Sequence, residues 1–299
     1  MVKFSIIVIT YNRPHLLCKC LNSLSRQESP KSDYEVIIVD DGSGPETKES
    51  VKAFSPKMNL VYLKEAHGGI SLARNTGISK ARGSIIAFVD DDCLVEKDYV
   101  QRVIDVHQNF PQAKVIAFRI VNAEKDNLYG VMWEFFLYRF LKPEIRKNTG
   151  IDLPCIGILG SGISSFKKEI FDSCGLFDKS INFNEDGDLQ CRIEKSGEYI
   201  FYQPQVVIKH FYVNNFINFI KKGFYNGRQH YYYKKQYKIF PDMKHRVRFV
   251  SLSNLLAAVK NFGLVKGLVI FFLRVIMSLV FTLGILFESF VPACCKLKP

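Results

Sequence analysis

Ile85-Ile86-Ala87-Phe88-Val89-Asp90-Asp91-Asp92 is the stretch that decides the fold. Its apolar residues, rich in β-branched types, read as a buried strand. Carboxylates crowded at its end repel one another and call for a compensating positive charge. Open α/β sheets bind ligands beyond the carboxyl ends of their strands, which is where these acids fall. Hard oxygen ligands at such a place suit Mg²⁺ or Mn²⁺ held together with substrate phosphates. The same residues also read as an acidic turn and helix cap, because Lys97 and Tyr99 open a predicted helix.

Outward from that strand, helix and strand signals alternate. Phe4–Thr10 reads as a strand, and Leu16, Leu17, Cys20, Leu21 and Leu24 fall on one helical face. Val36–Asp40 is the next strand and ends in the turn Asp41-Gly42-Ser43-Gly44-Pro45. Glu46–Phe54 is helical, Leu60–Leu63 a short strand, Ser71–Lys80 a helix and Lys97–Asn109 another. Strands separated by helices imply an α/β fold with a mostly parallel sheet covered on both faces. Tyr11-Asn12, Asp41 and Asp90–Asp92 all follow strands, so they share one edge. Val115–Val121 is a further strand, the aromatic stretch Trp133–Phe140 reads as core or acceptor wall, and Val206–Lys209 is a strand ending at His210.

A nucleotide needs a base pocket, a ribose contact and charge neutralisation at its diphosphate. Thr10, Tyr11 and Asn12 offer an aromatic face and polar groups. Asp41 can accept a hydrogen bond from a base N–H, with Gly42 permitting the tight turn, though Asp-Gly-Ser is also an ordinary turn. Arg74 falls between two of these loops. It reads as a solvated helix residue, or as a nucleotide contact that also counters the carboxylates. A second acidic cluster, Asn184-Glu185-Asp186-Gly187-Asp188, opens a predicted helix, where acids favour the helix dipole and Asp188 pairs with Arg192 at i,i+4.

Thr10-Tyr11-Asn12-Arg13, Val39-Asp40-Asp41-Gly42-Ser43, Ala73-Arg74-Asn75 with Gly77, Ala81-Arg82-Gly83 and Phe88-Val89-Asp90-Asp91-Asp92 occur in this order. Together they resemble family 2 glycosyltransferases of the GT-A fold, over about residues 3–212. The resemblance implies a nucleotide-sugar donor, UDP- or dTDP-linked, and a divalent cation, Mg²⁺ or Mn²⁺. It places Tyr11 near the base and Asp41 in recognition of it. It puts Asp90 on the ribose or sugar side and Asp92 on the metal, with Asp91 in the variable middle position. It makes Asp186 the general base of an inverting transfer, with Glu185 orienting it or touching the acceptor. His210 reads as a satisfied structural residue or, by the resemblance, as a metal ligand near Asp92. Gly157–Gly162 with Ser164 and Ser165 reads as a pocket-lining segment or a plain loop.

The charge is segregated. Residues 1–212 hold 27 basic and 27 acidic side chains, whereas residues 213–274 hold 12 basic and one acidic, Asp242. The basic, aromatic run around His230–Lys238 suits nucleic acid or an anionic membrane. Gly267–Phe287, whose one charge is Arg274, has about the length that crosses a bilayer and favours the membrane over nucleic acid. Arg274 would cost about 2.5–3.5 kcal/mol at the centre of a span, so an in-plane or re-entrant helix stays open. A spanning helix with this basic flank would place the enzyme body on the cytoplasmic face. The eight cysteines form no C-x-x-C pair, which argues against zinc, and no leader segment is read at Met1–Ile9. Cys294-Cys295 read as lipidation sites or ordinary thiols.

The expected organisation is a glycosyltransferase domain at 1–212, a basic helical extension at 213–263 and a membrane-associated segment at 264–299. The expected partners are a nucleotide sugar, a glycan or lipid-linked acceptor and an anionic membrane, with no nucleic acid. Two alternatives carry different chemistry. A sugar-phosphate nucleotidyltransferase would show a glycine-rich, basic triphosphate loop, which Thr10–His15 lacks, and a scaffold without catalysis would have no need of both acidic clusters.

Overall fold

Along the central strands, successive apolar residues alternate between two cores. Ile6, Val8, Val36, Ile38 and Ala87 enter one, while Ile7, Ile37, Val39, Ile86 and Phe88 enter the other. A strand whose two faces are both covered must be apolar at every position, which is why these segments read as continuous runs.

The computed structural model describes residues 2–141, 143–145, 150–156, 159–181, 183–237 and 251–290. Its first part runs β1 (Phe4–Thr10), α1 (Pro14–Leu24), β2 (Tyr34–Asp40), α2 (Pro45–Lys52), β3 (Leu60–Lys64), α3 (Ile70–Lys80) and β4 (Ile85–Phe88). It continues with β5 (Cys93–Val95), α4 (Tyr99–Asn109), β6 (Val115–Asn122), α5 (Leu128–Phe140), β7 (Glu144–Ile145) and β8 (Pro154–Cys155). It ends with β9 (Ser164–Lys167), α6 (Ile170–Cys174), α7 (Glu185–Lys195), β10 (Ile200–His210), α8 (Phe216–Tyr237), α9 (Leu252–Phe262) and α10 (Leu264–Phe290).

The chain forms two compact units, Met1–Val121 with Leu141–His210, and Asn122–Phe140 with Phe211–Pro299. In the first, the strand order is β3-β2-β1-β4-β9-β6-β10-β8-β7, with β5 against β10. β1 pairs in parallel with β2 and β4, and β2 with β3. The expectation of a mostly parallel sheet needs correction: β9 runs antiparallel to both β4 and β6, and β10 antiparallel to β5 and β8. The sheet is therefore mixed, parallel among β1, β2, β3 and β4 and antiparallel around β9 and β10. The parallel register sets Thr10 beside Asp40. It thereby aligns the ends of β1, β2 and β4 along one edge.

One core packs α1 and α4 through Leu17, Leu21, Leu24, Val100 and Val103, and the other packs α3, α6 and α7 through Ala73, Ile170, Leu189 and Ile193. Far from the carboxyl edge, Glu35 is fully buried and accepts from the Ser5 hydroxyl, the Arg82 backbone N–H and the Arg82 side chain. Ala81-Arg82-Gly83 is therefore a clamp on the sheet.

The second unit is helical. Met132 and Phe136 of α5, Phe219 of α8 and Ile270, Leu273 and Met277 of α10 share a core. The aromatic stretch Trp133–Phe140 thus belongs to α5, whose core partners are these helices. Residues 238–250 and Cys294-Cys295 lie outside the described residues.

Candidate active site

Three loops at the carboxyl edge carry the first cluster. The turn after β1 places Asn12 in the left-handed region, at φ 52°, which Asn tolerates better than most residues. There the Asn12 backbone N–H donates to Ser43 Oγ at 2.8 Å, and Asn12 Oδ1 accepts from the Gly44 N–H at 3.1 Å. The first two loops are thereby locked together. Gly42 sits at φ +91°, and a Cβ there would lie 2.8 Å from the His67 nitrogen, so a side chain is excluded twice over.

Tyr11 stacks on His67, with ring centroids 4.2 Å apart. At 43% exposure it is the one strongly exposed member of the first motif's Thr10-Tyr11 pair, since Thr10 is buried. The Asp41 carboxylate accepts from the Gly68 N–H at 2.8 Å and the Gly69 N–H at 3.1 Å, and lies 2.8 Å from His67 Nδ1. Asp41 thus anchors the start of α3 and positions the ring under Tyr11.

The three aspartates are not equivalent. Asp91 is fully buried; its carboxylate accepts from Thr10 Oγ1 at 2.8 Å and is ion-paired with Arg13. Burial pushes its pKa up to about 7, partly offset by Arg13, with Asp92 adding to the rise. Asp91 and Thr10 therefore brace the loop. Asp90 packs directly under the Gly162 backbone, where a Cβ would collide with its carboxylate. Burial and then Asp92 raise the Asp90 pKa, against the pull of Arg74, His210 and Arg13.

Asp92 receives Arg13 Nη1 at 2.9 Å, and its Oδ1 lies 3.4 Å from His210 Nε2. The antiparallel register brings this about by pairing His210 with Cys93. Donor atoms of Asp92, Cys93 and His210 lie within 4.8 Å of one another. Burial, with help from Asp90 and Asp92, pushes the Cys93 thiol well up, which disfavours the thiolate when no cation is bound. Asp92 Oδ1 is buried and accepts no hydrogen bond among the described residues. The Asp92 carboxylate oxygen and the His210 imidazole, with Cys93 beside them, make a donor set that fits a divalent cation.

The second cluster opens α7, after Asn184 at φ 63°. Glu185 is buried and ion-paired with Arg74, whose guanidinium also lies over Phe88 and Phe177, 5.6 and 5.2 Å from the ring centroids. Arg74 is 3% exposed and faces the Glu185 carboxylate, so it is not a solvated helix residue and does counter a carboxylate. Its neighbours dock the chain ahead of α7: Ser71 Oγ donates to the Ile181 carbonyl and Asn75 Nδ2 to that of Phe177.

Asp186 accepts backbone N–H bonds from Gly187 and Ser161. Burial, then Glu185, raise its pKa to about 6, with Arg74 pulling the other way. Ser161 touches Asp186 and the adjacent Gly162 touches Asp90. The turn Ser161–Ile163 therefore bridges the two acidic clusters. Of the Gly157–Gly162 segment, residues 157 and 158 lie outside the described residues. Arg13, His67 and Ser161 were not named as site residues; Arg13 lies inside the first motif and Ser161 inside the Gly157–Gly162 segment, while His67 had no signal of its own.

The model of the family described as "Glycosyl transferase family 2" matches residues 5–175. Glycosyltransferase AglE of Haloferax volcanii is 41% identical over 100 residues, 33% of this chain and 33% of that protein. Poly(ribitol-phosphate) beta-N-acetylglucosaminyltransferase TarS of Staphylococcus aureus is 37% identical over 114 residues, 36% of this chain and 20% of that protein. The chain thus matches a third or less of these curated relatives' length. The mannosyltransferase PcManGT of Pyrobaculum calidifontis, solved with GDP-Man and Mn²⁺, superposes with a TM-score of 0.62 at 19% identity, covering 96% of this chain and 88% of that one. At that identity the likeness is one of fold.

Proposed function

The chain belongs to glycosyl transferase family 2, and from that premise we propose that it moves a sugar from a nucleotide diphosphate to an acceptor hydroxyl with inversion. The observation that supports this reading is the turn Ser161–Ile163, which meets the Asp186 carboxylate at Ser161 and the Asp90 carboxylate at Gly162.

The base stacks on Tyr11, supported by His67. UDP- or dTDP-linked sugars are the expected donors, and a solved structure of TarS holds UDP-GlcNAc. Asp90 faces the ribose or sugar, and Asp92 with His210 holds Mn²⁺ or Mg²⁺. When bound, that cation neutralises the charge of the diphosphate leaving group. The chain's own contribution is at the acceptor. An acceptor hydroxyl is a weak nucleophile until its proton begins to leave. Asp186 takes that proton on a carboxylate oxygen, the alcohol oxygen bonds to the anomeric carbon, and the bond from that carbon to the diphosphate breaks. A base with a pKa near 6 is ionised at neutral pH yet basic enough to help, an effect worth about 10²–10⁴-fold. Arg74 acts from behind by holding Glu185, the nearest like charge to Asp186.

The acceptor is a glycan or a lipid-linked saccharide. The 27-residue helix α10 has a mean hydropathy of 2.5 in its most apolar window, and the basic excess lies in the same C-terminal part of the chain. Together they support association with an anionic membrane, with the enzyme body on the cytoplasmic face. Incubation with a panel of nucleotide sugars, Mn²⁺ or Mg²⁺ and saccharide acceptors tests the reaction. Release of nucleoside diphosphate with a glycosylated product is expected. Release of pyrophosphate would identify a nucleotidyltransferase, and no turnover with any donor would point to a scaffold.

A further inference from the structure

α10 carries an open apolar face along its whole length. Val265, Val269, Phe272, Leu279, Leu283, Leu286 and Phe290 are all exposed. At 100° per residue they fall within a stripe about 100° wide, running roughly 40 Å at 1.5 Å per residue. Arg274 projects from the opposite side, where its guanidinium lies 5.6 Å from the Trp133 ring and 5.7 Å from that of Phe136. The charge that made a membrane helix hard to accept is turned inward onto α5. Glu288, the other charge in the later part of α10, is fully buried and bonded to Arg228 of α8.

The neighbour along α10 decides its orientation. α8 runs parallel to it: Gly223 meets Met277 and Val280, Gly227 meets Phe281 and Gly284, and Arg228 meets Glu288. A Cβ at Gly227 or Gly284 would strike the backbone of the other helix, so the two helices touch backbone to backbone. This register sets Lys221 and Lys222 beside the middle of α10. Both are exposed, on the side of α8 turned away from the contact.

We propose that α10 lies in the plane of one leaflet, with its open stripe against lipid tails, and does not cross the bilayer. A crossing α10 would carry α8 with it and hold two lysines near the bilayer centre, at about 2.5–3.5 kcal/mol each. Lying in plane, the same pair leaves those lysines at the headgroups, where anionic lipid attracts them. The inference rests on the membrane association proposed above and is independent of the transfer chemistry.

Depth-resolved fluorescence quenching tests it. Trp133 is the chain's one tryptophan, so Trp133→Phe gives a silent background. Val265→Trp, Leu279→Trp and Phe290→Trp then report depth in vesicles of phosphatidylcholine and phosphatidylglycerol, with lipids brominated near the headgroup or near the chain end. All three substitutions are at exposed positions, and circular dichroism checks that each variant folds. An in-plane helix gives the same shallow-to-deep quenching ratio at all three sites. A deep Leu279→Trp between two shallow ends would show a crossing helix and overturn the proposal while sparing membrane association. No quenching at any site would overturn both and leave a second protein copy as the cover of the stripe. Donor turnover in detergent is expected to be unchanged in all three variants.

Discussion

The two acidic clusters of the crevice look alike in sequence and differ in how the fold treats them. In each, one carboxylate is spent on an arginine: Asp91 on Arg13, and Glu185 on Arg74. The remaining acids have different surroundings. Asp92 has Arg13 and His210 beside it. Asp186 has backbone N–H groups, a like charge in Glu185 and a pKa raised to about 6. In the proposed reaction the first environment holds a cation and the second accepts a proton. A carboxylate's role is thus set by its neighbours, and a count of acids in a motif does not assign it.

The largest expected effect breaks the proton side. Asp186→Asn removes the base but keeps the shape, so kcat should fall by about 10²–10⁴-fold with donor affinity retained. Steady-state transfer assays check this, and turnover near the wild-type rate would end the assignment. In the wild type, the carboxylate is lost as pH falls through its pKa near 6. Because the ionised form is the active one, kcat/KM should fall about tenfold per pH unit below that point and be flat just above it. A flat profile from pH 5 to 8 would contradict this.

The next effect breaks the cation side. Asp92→Asn should weaken Mn²⁺ affinity by more than about 100-fold, since even outer-shell partners of a metal are worth about 10–100-fold. Activity titrated against Mn²⁺ reads the change. The smallest effect concerns bracing. Arg13→Met leaves the buried Asp91 with Thr10 alone and should lower folding stability by about 1–3 kcal/mol, near the low end because Arg13 is 44% exposed. Urea unfolding measures it, and Arg13→Lys should recover part of the loss.

Much of this was legible because it is local. Continuous apolar strands ending in polar loops marked β1, β2 and β4, and the parallel register then forced their ends onto one edge. The burial of Arg74 was not legible: its partner is more than a hundred residues away, and a lone helical arginine gives no sign of a tertiary ion pair. The sheet's antiparallel half was hidden for a related reason. Val206–Lys209 was legible as a strand, but β10 extends back through Pro204 and its antiparallel partner β5 is only three residues long, so the pairing that brings His210 to Asp92 had no signal. The aromatic stretch at 133–140 is apolar around much of its surface because α8 and α10 cover it, and nothing in its own spacing names those partners.

Calorimetric titration of a UDP-sugar in the presence of Mn²⁺ against the wild-type, Asp92→Asn and Asp186→Asn chains separates the two roles in one experiment. Asp186→Asn should bind the donor as the wild type does, and Asp92→Asn should lose the Mn²⁺-dependent part of the affinity. Normal binding by Asp92→Asn, or equal loss in both variants, would contradict a crevice divided between cation and proton.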